Sequence, residues 1–523
     1  MKMPPVTMAV RPHECGGASP PESAAKSKRL WQRTWARLLA VLFLVYLGVA
    51  LYQTQLKPLP AGLGIESAPV VERTDAIEFL CDVTGTRGGE RVMRQMIYDR
   101  ALGLIRGAQD LIVVDLFLFN PYTGKEKTAY RRLCQEVTDA LLERKRSRPQ
   151  IHIVVITDPV NKAYGGPLPQ QLQALQAAGI PVVFTALNRL RDSNPAYSSF
   201  WRMFVQWFGD AKSGWLPHPF AKDAGGVGVR SWLALLNFKA NHRKLLVADT
   251  PRPEGGREIV SLVTSANPHD ASSAHGNVGL LVRGEIWRDL LRSEQAVLAL
   301  SGSDINLNNL IPPYATTNAP RLSPAQTNLT VQVLTEGRIR SGMVRTINQA
   351  GAGDRLDLAM FYLSERQIVD ALLAAASRGV TIRALLDPNR DAFGYQKNGI
   401  PNRPVAAELT RKSRGRIEVR WCDTHGEQFH AKLLLLKQRD TARLITGSAN
   451  ATRRNISDLN LEADLAVAGP AGADVFQKAS DYFEQLWTNR DLNCTVPYQT
   501  YADPSRVKYW QYRFQEWSGA SSF

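Results

Sequence analysis

The sequence predicts a duplicated α/β protein carried on one N-terminal apolar helix. Three observations predict it: alternating helical and strand-like hydrophobic periods, a restart of that alternation midway along the chain, and an uncharged apolar run near the N-terminus. With 523 residues, 44% apolar and 21% charged, the chain has the composition of a multidomain globular protein. That excludes a disordered chain, a fibrous repeat and a polytopic membrane protein. Five cysteines are too few for a disulfide scaffold.

The apolar run, Leu38–Tyr52 (LLAVLFLVYLGVALY), is fifteen residues without a charge. A spanning helix needs about 20, so residues 35–55 reach the length only by admitting Arg37 and a few polar residues. Trp31, Trp35 and Tyr52 stand where interfacial aromatics would stand. Arg29, Arg33 and Arg37 precede the run and only Lys57 closely follows it, so the basic tail, residues 1–34, is expected in the cytoplasm and the rest exported. An uncleaved signal anchor is the expectation. The alternatives are a cleaved signal peptide, for which no clear small-x-small site follows, and a buried core helix.

Beyond a Pro/Gly linker at Leu56–Gly64, Met93–Arg106 reads as a helix, Asp110–Phe119 as a buried strand, Tyr130–Lys145 as a helix and Ile151–Thr157 as a strand. Leu168–Ala178 and Pro181–Phe184 repeat the alternation, which predicts α/β units around a largely parallel sheet. The series restarts with Val331–Leu334 (strand), Ser341–Gln349 (helix), Asp357–Tyr362 (strand), Glu365–Ser377 (helix) and Thr381–Leu386 (strand). The expected division is a first half at 65–301 with an insertion at 187–236, a linker at 302–328, a second half at 329–500 and an aromatic C-terminal segment at 501–523. Cys81, Cys134, Cys422 and Cys494 in the exported part allow two disulfides or free buried thiols, and their spacing resembles no zinc site.

The net charge is +16. Residues 1–60 hold eight Lys/Arg against Glu14 and Glu22, which leaves +10 on the remainder. Such a surplus favours nucleic acid, acidic lipid or another phosphate-bearing partner.

Two segments match each other. His242-Arg-Lys244-Leu-Leu-Val-Ala-Asp249 is followed by Thr264-Ser265-Ala-Asn267, and His430-Ala-Lys432-Leu-Leu-Leu-Leu-Lys437 by Gly447-Ser448-Ala-Asn450. On a strand, period two puts each His and Lys on one face while Arg243 or Ala431 points away. A phosphodiester resists attack because its oxygens are negative and its leaving alkoxide is poor. One histidine as nucleophile splits the reaction into two easier steps. A second, protonated, delivers a proton to the leaving oxygen and later takes one from the incoming hydroxyl. Two lysines and two Asn amides can hold the non-bridging oxygens.

This pair resembles the phospholipase D superfamily, whose signature is two HxKxxxxD motifs, each followed by a turn ending in Asn; the resemblance spans roughly residues 65–500. It implies an α/β fold of two duplicated halves, each a mixed sheet flanked by helices, with one active site where the halves meet. His242, Lys244 and Asn267 would enter from one side and His430, Lys432 and Asn450 from the other. The resemblance makes His242 the nucleophile and His430 the acid/base. Glu462 stands where the family carries a carboxylate that orients a catalytic His, and the matching first-half position is Asn277. Asp249, Ser265 and Ser448 are expected in structural roles. Two positions depart from the pattern: Lys437 replaces the second motif Asp, and Thr264 replaces a turn Gly. If the motif Asp is structural, Lys437 leaves the chemistry intact; otherwise a degenerate, non-catalytic lipid-binding member is the alternative.

Trp201, Phe204, Trp207 and Phe208 recur at helical spacing in the insertion, with Trp510, Phe514 and Trp517 near the C-terminus. An aromatic helix with few acids suits the boundary between headgroups and acyl chains, or packs on its own domain. With the anchor, these stripes tilt the substrate toward anionic phospholipid, and the resemblance is to bacterial cardiolipin synthase and phospholipase D-like proteins. The expectation is a bacterial inner-membrane enzyme with an extracytoplasmic catalytic domain, working without cofactor or metal and as a single copy. Nucleic acid is a partner only under the alternative of an exported single-strand nuclease.

Overall fold

A computed structural model describes residues 22–124, 130–209, 214–221, 224–252, 255–317, 327–392 and 395–521. Most of the basic tail (1–21) and part of the expected linker (318–326) lie outside the described residues.

The halves are built alike. In the first, eight strands run in the spatial order Glu90–Arg94, Ile77–Arg87, Asn277–Arg283, Arg257–Thr264, Lys244–Pro251, Leu111–Leu116, His152–Thr157 and Val182–Phe184. In the second, nine strands run in the order Val70–Arg73, Thr327–Thr335, Ala463–Pro470, Thr441–Gly447, Lys432–Lys437, Arg355–Met360, Thr381–Leu386, Ile417–Cys422 and Thr495–Pro497. Each sheet is mixed. Leu111–Leu116, His152–Thr157 and Val182–Phe184 are parallel, as are Arg355–Met360, Thr381–Leu386 and Ile417–Cys422. The motif strands and their successors are antiparallel. Asp110–Phe119, Ile151–Thr157 and Pro181–Phe184, from which a largely parallel sheet is expected, do pair in parallel, but the motif strands make each whole sheet mixed, as the resemblance implies. Short turns after Pro251 and Lys437 leave no room for a crossover, so each motif strand folds straight back on the next.

Strand parity sorts the core. Leu245, Val247, Leu433 and Leu435 face a central cluster shared by both sheets and by the helices Trp287–Leu300 and Asp474–Thr488. Leu246 and Ala248 face the outer helices of the first half, and Leu434 and Leu436 those of the second. The helix expected at Met93–Arg106 starts only at Ile97, because Glu90–Arg94 forms an edge strand. Cys81, Cys134, Cys422 and Cys494 are free thiols.

Arg243 ties the halves together. Its buried guanidinium donates to Glu294 at 2.7 Å and to Glu336 at 2.7 Å. Backbone bridges repeat the joint with near symmetry: His242 N donates to Leu461 O at 2.8 Å and Gly276 N to Gln428 O at 3.0 Å.

The N-terminal helix Glu22–Leu51 continues as a wider turn, Tyr52–Leu56. Its stretch Leu30–Leu56, 27 residues of which the most apolar 18 have mean hydropathy 2.0, is long and apolar enough to cross a membrane. Leu38, Leu39, Phe43 and Leu44 are exposed, so the buried-core-helix alternative fails. The helix meets the body only toward its C-terminal end, where the Tyr46 hydroxyl donates to Ala196 O and Asp192 N donates to Gln53 O at 2.9 Å.

Candidate active site

Each motif strand delivers its His and Lys beside the end of the first parallel strand. Lys244 lies opposite Leu116 and Lys432 opposite Met360. The next residue in each partner strand is a phenylalanine whose N–H donates to the residue between the motif His and Lys: Phe117 to Arg243 O at 3.1 Å, and Phe361 to Ala431 O at 3.0 Å. These rings pack on both motif side chains. Phe117 lies 4.7 Å from the His242 ring and 5.0 Å from Lys244 Nζ; Phe361 lies 5.0 Å from the His430 ring and 5.1 Å from Lys432 Nζ. The two imidazoles meet with ring centroids 6.4 Å apart.

The symmetry stops at the Nδ1 atoms. His242 Nδ1 lies 3.0 Å from the Glu462 carboxylate, whereas His430 Nδ1 lies 3.0 Å from Ser265 O and 3.3 Å from Asn277 Oδ1. Both are acceptors, so each imidazole carries its hydrogen on Nδ1 and keeps a lone pair on Nε2. The sequence left open which His Glu462 faces; it faces His242. Glu462 also accepts from Ser448 Oγ and Asn455 Nδ2. In the first half Ser265 Oγ donates to Asn277 Oδ1 at 3.2 Å, the same bond with an amide in place of the carboxylate.

Burial shapes the charges. The Glu462 carboxyl is pushed up to about 7 by desolvation, opposed chiefly by Lys244. Lys244 is lowered to about 7 by desolvation, with Glu462 acting against it. Lys432 falls well below the usual amine range through burial and the nearby Lys244. His242 is held neutral by burial, then by Lys244; His430 by burial, then by Lys432. Four cation-capable groups crowd Glu462, with buried Asp464 also acting on both lysines, and an arriving anion favours the charged form of all four.

The site opens into a cavity of about 400 Å³ lined by both histidines, Asn267, Asn450, Tyr362 and Arg454 among others. Asn267 Oδ1 accepts from Leu118 N at 3.2 Å, which leaves its amide hydrogens for a ligand. Among the described residues, buried Asn450 Oδ1 has no partner. The geometry brings together His242, Lys244, Asn267, His430, Lys432, Asn450 and Glu462.

Asp249 stands apart from that cavity, at the far end of its strand. Its carboxylate accepts from the N–H groups of Gln109, Asp110 and Leu111 at 2.9–3.0 Å and pairs with Arg257 at 2.5 Å. It caps a turn. In the second half Asp354 closes the equivalent turn, accepting from Gly351 N at 2.9 Å and from Gln438 Nε2 at 2.9 Å. Lys437 lies opposite Arg355 and donates to Ser480 Oγ at 3.0 Å, remote from the histidines.

The aromatic stripes do not enter the site. Pro195–Phe200 is a short helix continued by a wider turn, Trp201–Val205, beside the N-terminal helix. Phe204, Trp207 and Phe208 are exposed, the last two to 70%, while Trp201 is half-buried. The helix Arg506–Ser518 leaves Trp510, Phe514 and Trp517 exposed and buries Tyr512 and Glu516. Its end touches the insertion, for a Cβ on Gly519 would lie 1.7 Å from Ser193 O.

The sequence reading missed Phe117, Phe361, Arg454 and His275, whose ring lies 5.8 Å from that of His430. A signal for the phenylalanines existed: Leu116-Phe117 and Met360-Phe361 hold matching positions in the two series.

Residues 343–487 match the family model described as cardiolipin synthase, PLD-like domain. The fold is similar to the crystal structure of phosphatidylserine synthase from Haemophilus influenzae Rd KW20, with a TM-score of 0.50 and 12% identity over 86% of this chain and 95% of that one. Polyphosphate kinase from Porphyromonas gingivalis aligns at TM-score 0.43 and 12% identity, over 85% of this chain and 53% of that one. The phospholipase D family member Nuc from Salmonella typhimurium aligns at TM-score 0.25 and 19% identity, over 31% of this chain and 95% of that one. No curated protein sequence matches. The chain as a whole thus has a duplicated α/β fold. Its second half carries the PLD-like domain of the cardiolipin synthase type.

Proposed function

We propose that the protein is a membrane-anchored phospholipase D-type enzyme that transfers or hydrolyses a phosphatidyl group through a phosphohistidine. One observation carries the reading: two buried imidazoles, 188 positions apart in sequence, meet at 6.4 Å across the junction of the halves, each flanked by a lysine and an Asn turn.

The asymmetry at Nδ1 supports the division of labour. Glu462 beside His242 stabilises the positive charge that ring acquires when Nε2 bonds to phosphorus, so His242 is the nucleophile. The incoming diester raises the proton affinity of His430, which then gives its Nε2 proton to the leaving oxygen as the P–O bond breaks. In the second step His430 takes the proton of the acceptor hydroxyl, whose oxygen displaces His242 from phosphorus. Lys244, Lys432, Asn267 and Asn450 hold the non-bridging oxygens while charge shifts. The turn-capping of Asp249, taken over by Asp354 in the second half, favours an intact reaction centre despite Lys437. The N-terminal helix, with its preceding arginines, supports an anchor that keeps the tail cytoplasmic and the catalytic halves outside the bacterial inner membrane.

The test is reconstitution of the full chain with labelled phosphatidylglycerol. Cardiolipin or phosphatidic acid should form and disappear in His242→Ala and His430→Ala. Single-stranded DNA degraded with lipid left untouched would transfer the protein to the nuclease class. Lipid binding that survives both substitutions, with no diester turned over, would make it a non-catalytic binder.

A further inference from the structure

A second cavity, of about 540 Å³, adjoins the catalytic one. Tyr164 and Lys239 line both and form the partition between them. Its wall carries Lys162, Arg202, Arg230 and Lys239 against a single carboxylate, Asp192. Arg202 takes that carboxylate at 2.6 Å and Lys239 shares it. The other two cations face no acid among the described residues. Lys162 Nζ sits 4.2 Å from the Phe184 ring centroid. Among the described residues, Arg230 donates only to carbonyls, Gln206 O at 2.7 Å and Gly209 O at 3.0 Å, with its guanidinium 6.0 Å from the Trp201 ring. Two cations with no acid partner among the described residues, set against aromatic faces in a concave recess, attract a phosphate and the apolar groups attached to it.

The recess lies at the foot of the N-terminal helix. Asn188 O, on its wall, accepts from Lys57 Nζ at 3.3 Å and from Arg202 at 3.1 Å, and Asp192 N donates to Gln53 O at 2.9 Å. Where that helix leaves a bilayer, the recess stands at headgroup level, with exposed Trp207 and Phe208 near its rim. We propose that this cavity binds the phosphate of a second anionic phospholipid, separate from the diester in the catalytic cavity. The proposal rests on the anchored phospholipase reading above and adds a site that the two-histidine motif does not predict.

The test uses full-length His242→Ala protein in detergent, titrated calorimetrically with dihexanoyl phosphatidylglycerol. Two binding events per chain are expected. Adding Lys162→Glu with Arg230→Glu should weaken one at least tenfold and leave the other. The milder pair Lys162→Met with Arg230→Gln, at unchanged melting temperature, should weaken the same event and so exclude misfolding. A single event in the parent protein, or two events indifferent to both pairs, would overturn the site. Inorganic phosphate competing for the second event as strongly as the lipid would overturn its assignment to lipid. Binding needs no turnover, so two events in a chain whose wild type processes no diester would defeat only the catalytic reading. Turnover in the wild type with one binding event would defeat only this one.

Discussion

His242 Nδ1 and the Glu462 carboxylate lie 3.0 Å apart although 220 positions separate them in the chain. The contact crosses from one half to the other, so the first-half imidazole is oriented by a second-half acid. The reciprocal contact, His430 to Asn277, has an amide instead. Glu462→Gln keeps the shape and removes the charge that supports a positively charged phospho-imidazole. The expected result is a loss of about 10²-fold or more in kcat with KM little changed, measured in steady state on the lipid diester. An unchanged kcat would remove Glu462 from the reaction.

The two histidines should fail differently. Without His430 the first step can still occur with a good leaving group, while the second lacks its base. His430→Ala given an activated diester should therefore accumulate label on His242, found by mass spectrometry as an acid-labile adduct. His242→Ala should accumulate none. Under the proposed mechanism, in which imidazole and ammonium groups supply the chemistry, activity of the wild type should survive exhaustive chelation.

Anion binding should take up protons. Lys244 sits at about 7 in the empty site, and Lys432 and both imidazoles are depressed further by burial. A bound diester raises all four. Affinity should therefore fall as pH rises through about 7, the direction in which Lys244 loses its charge. Calorimetry of a non-hydrolysable diester in buffers of different ionisation enthalpy reads the uptake directly, and zero uptake between about pH 6 and 8.5 would contradict the charge arrangement.

Asp249 and Lys437 should separate structure from chemistry. Asp249→Ala strands three backbone N–H groups and the Arg257 guanidinium, at a cost of about 3 kcal/mol in unfolding free energy. Lys437→Ala removes one hydrogen bond, to Ser480, and should leave both melting temperature and kcat near wild type. A large loss of kcat in Lys437→Ala would overturn the placement of Lys437 outside the chemistry.

The aromatic surfaces should touch lipid. In the reconstituted full chain, brominated acyl chains should quench tryptophan emission, and Trp207→Phe or Trp510→Phe should reduce the quenched fraction. Quenching unaltered by either substitution would leave these faces in water.

Much of this was legible in the residues themselves. Local pattern carries local consequences: the HxK spacing puts two side chains on one strand face, the run Leu38–Tyr52 cannot be a loop, and Thr381–Leu386 is a strand at the positions its apolar run spans. The duplication made two half-sites visible as well. Periodicity is blind to strand direction: the α/β alternation up to Phe184 does form parallel strands, but it carries no sign that the motif strands beside them turn back antiparallel. Nor does it register which residues of one half reach the other. Only the tertiary structure aimed Glu462 at His242, set Phe117 and Phe361 against the motif lysines and gave the Asp249 role to Asp354 in the second half. Those relations arise from packing two sheets across a shared core, and contacts so distant along the chain leave no periodic trace in its sequence.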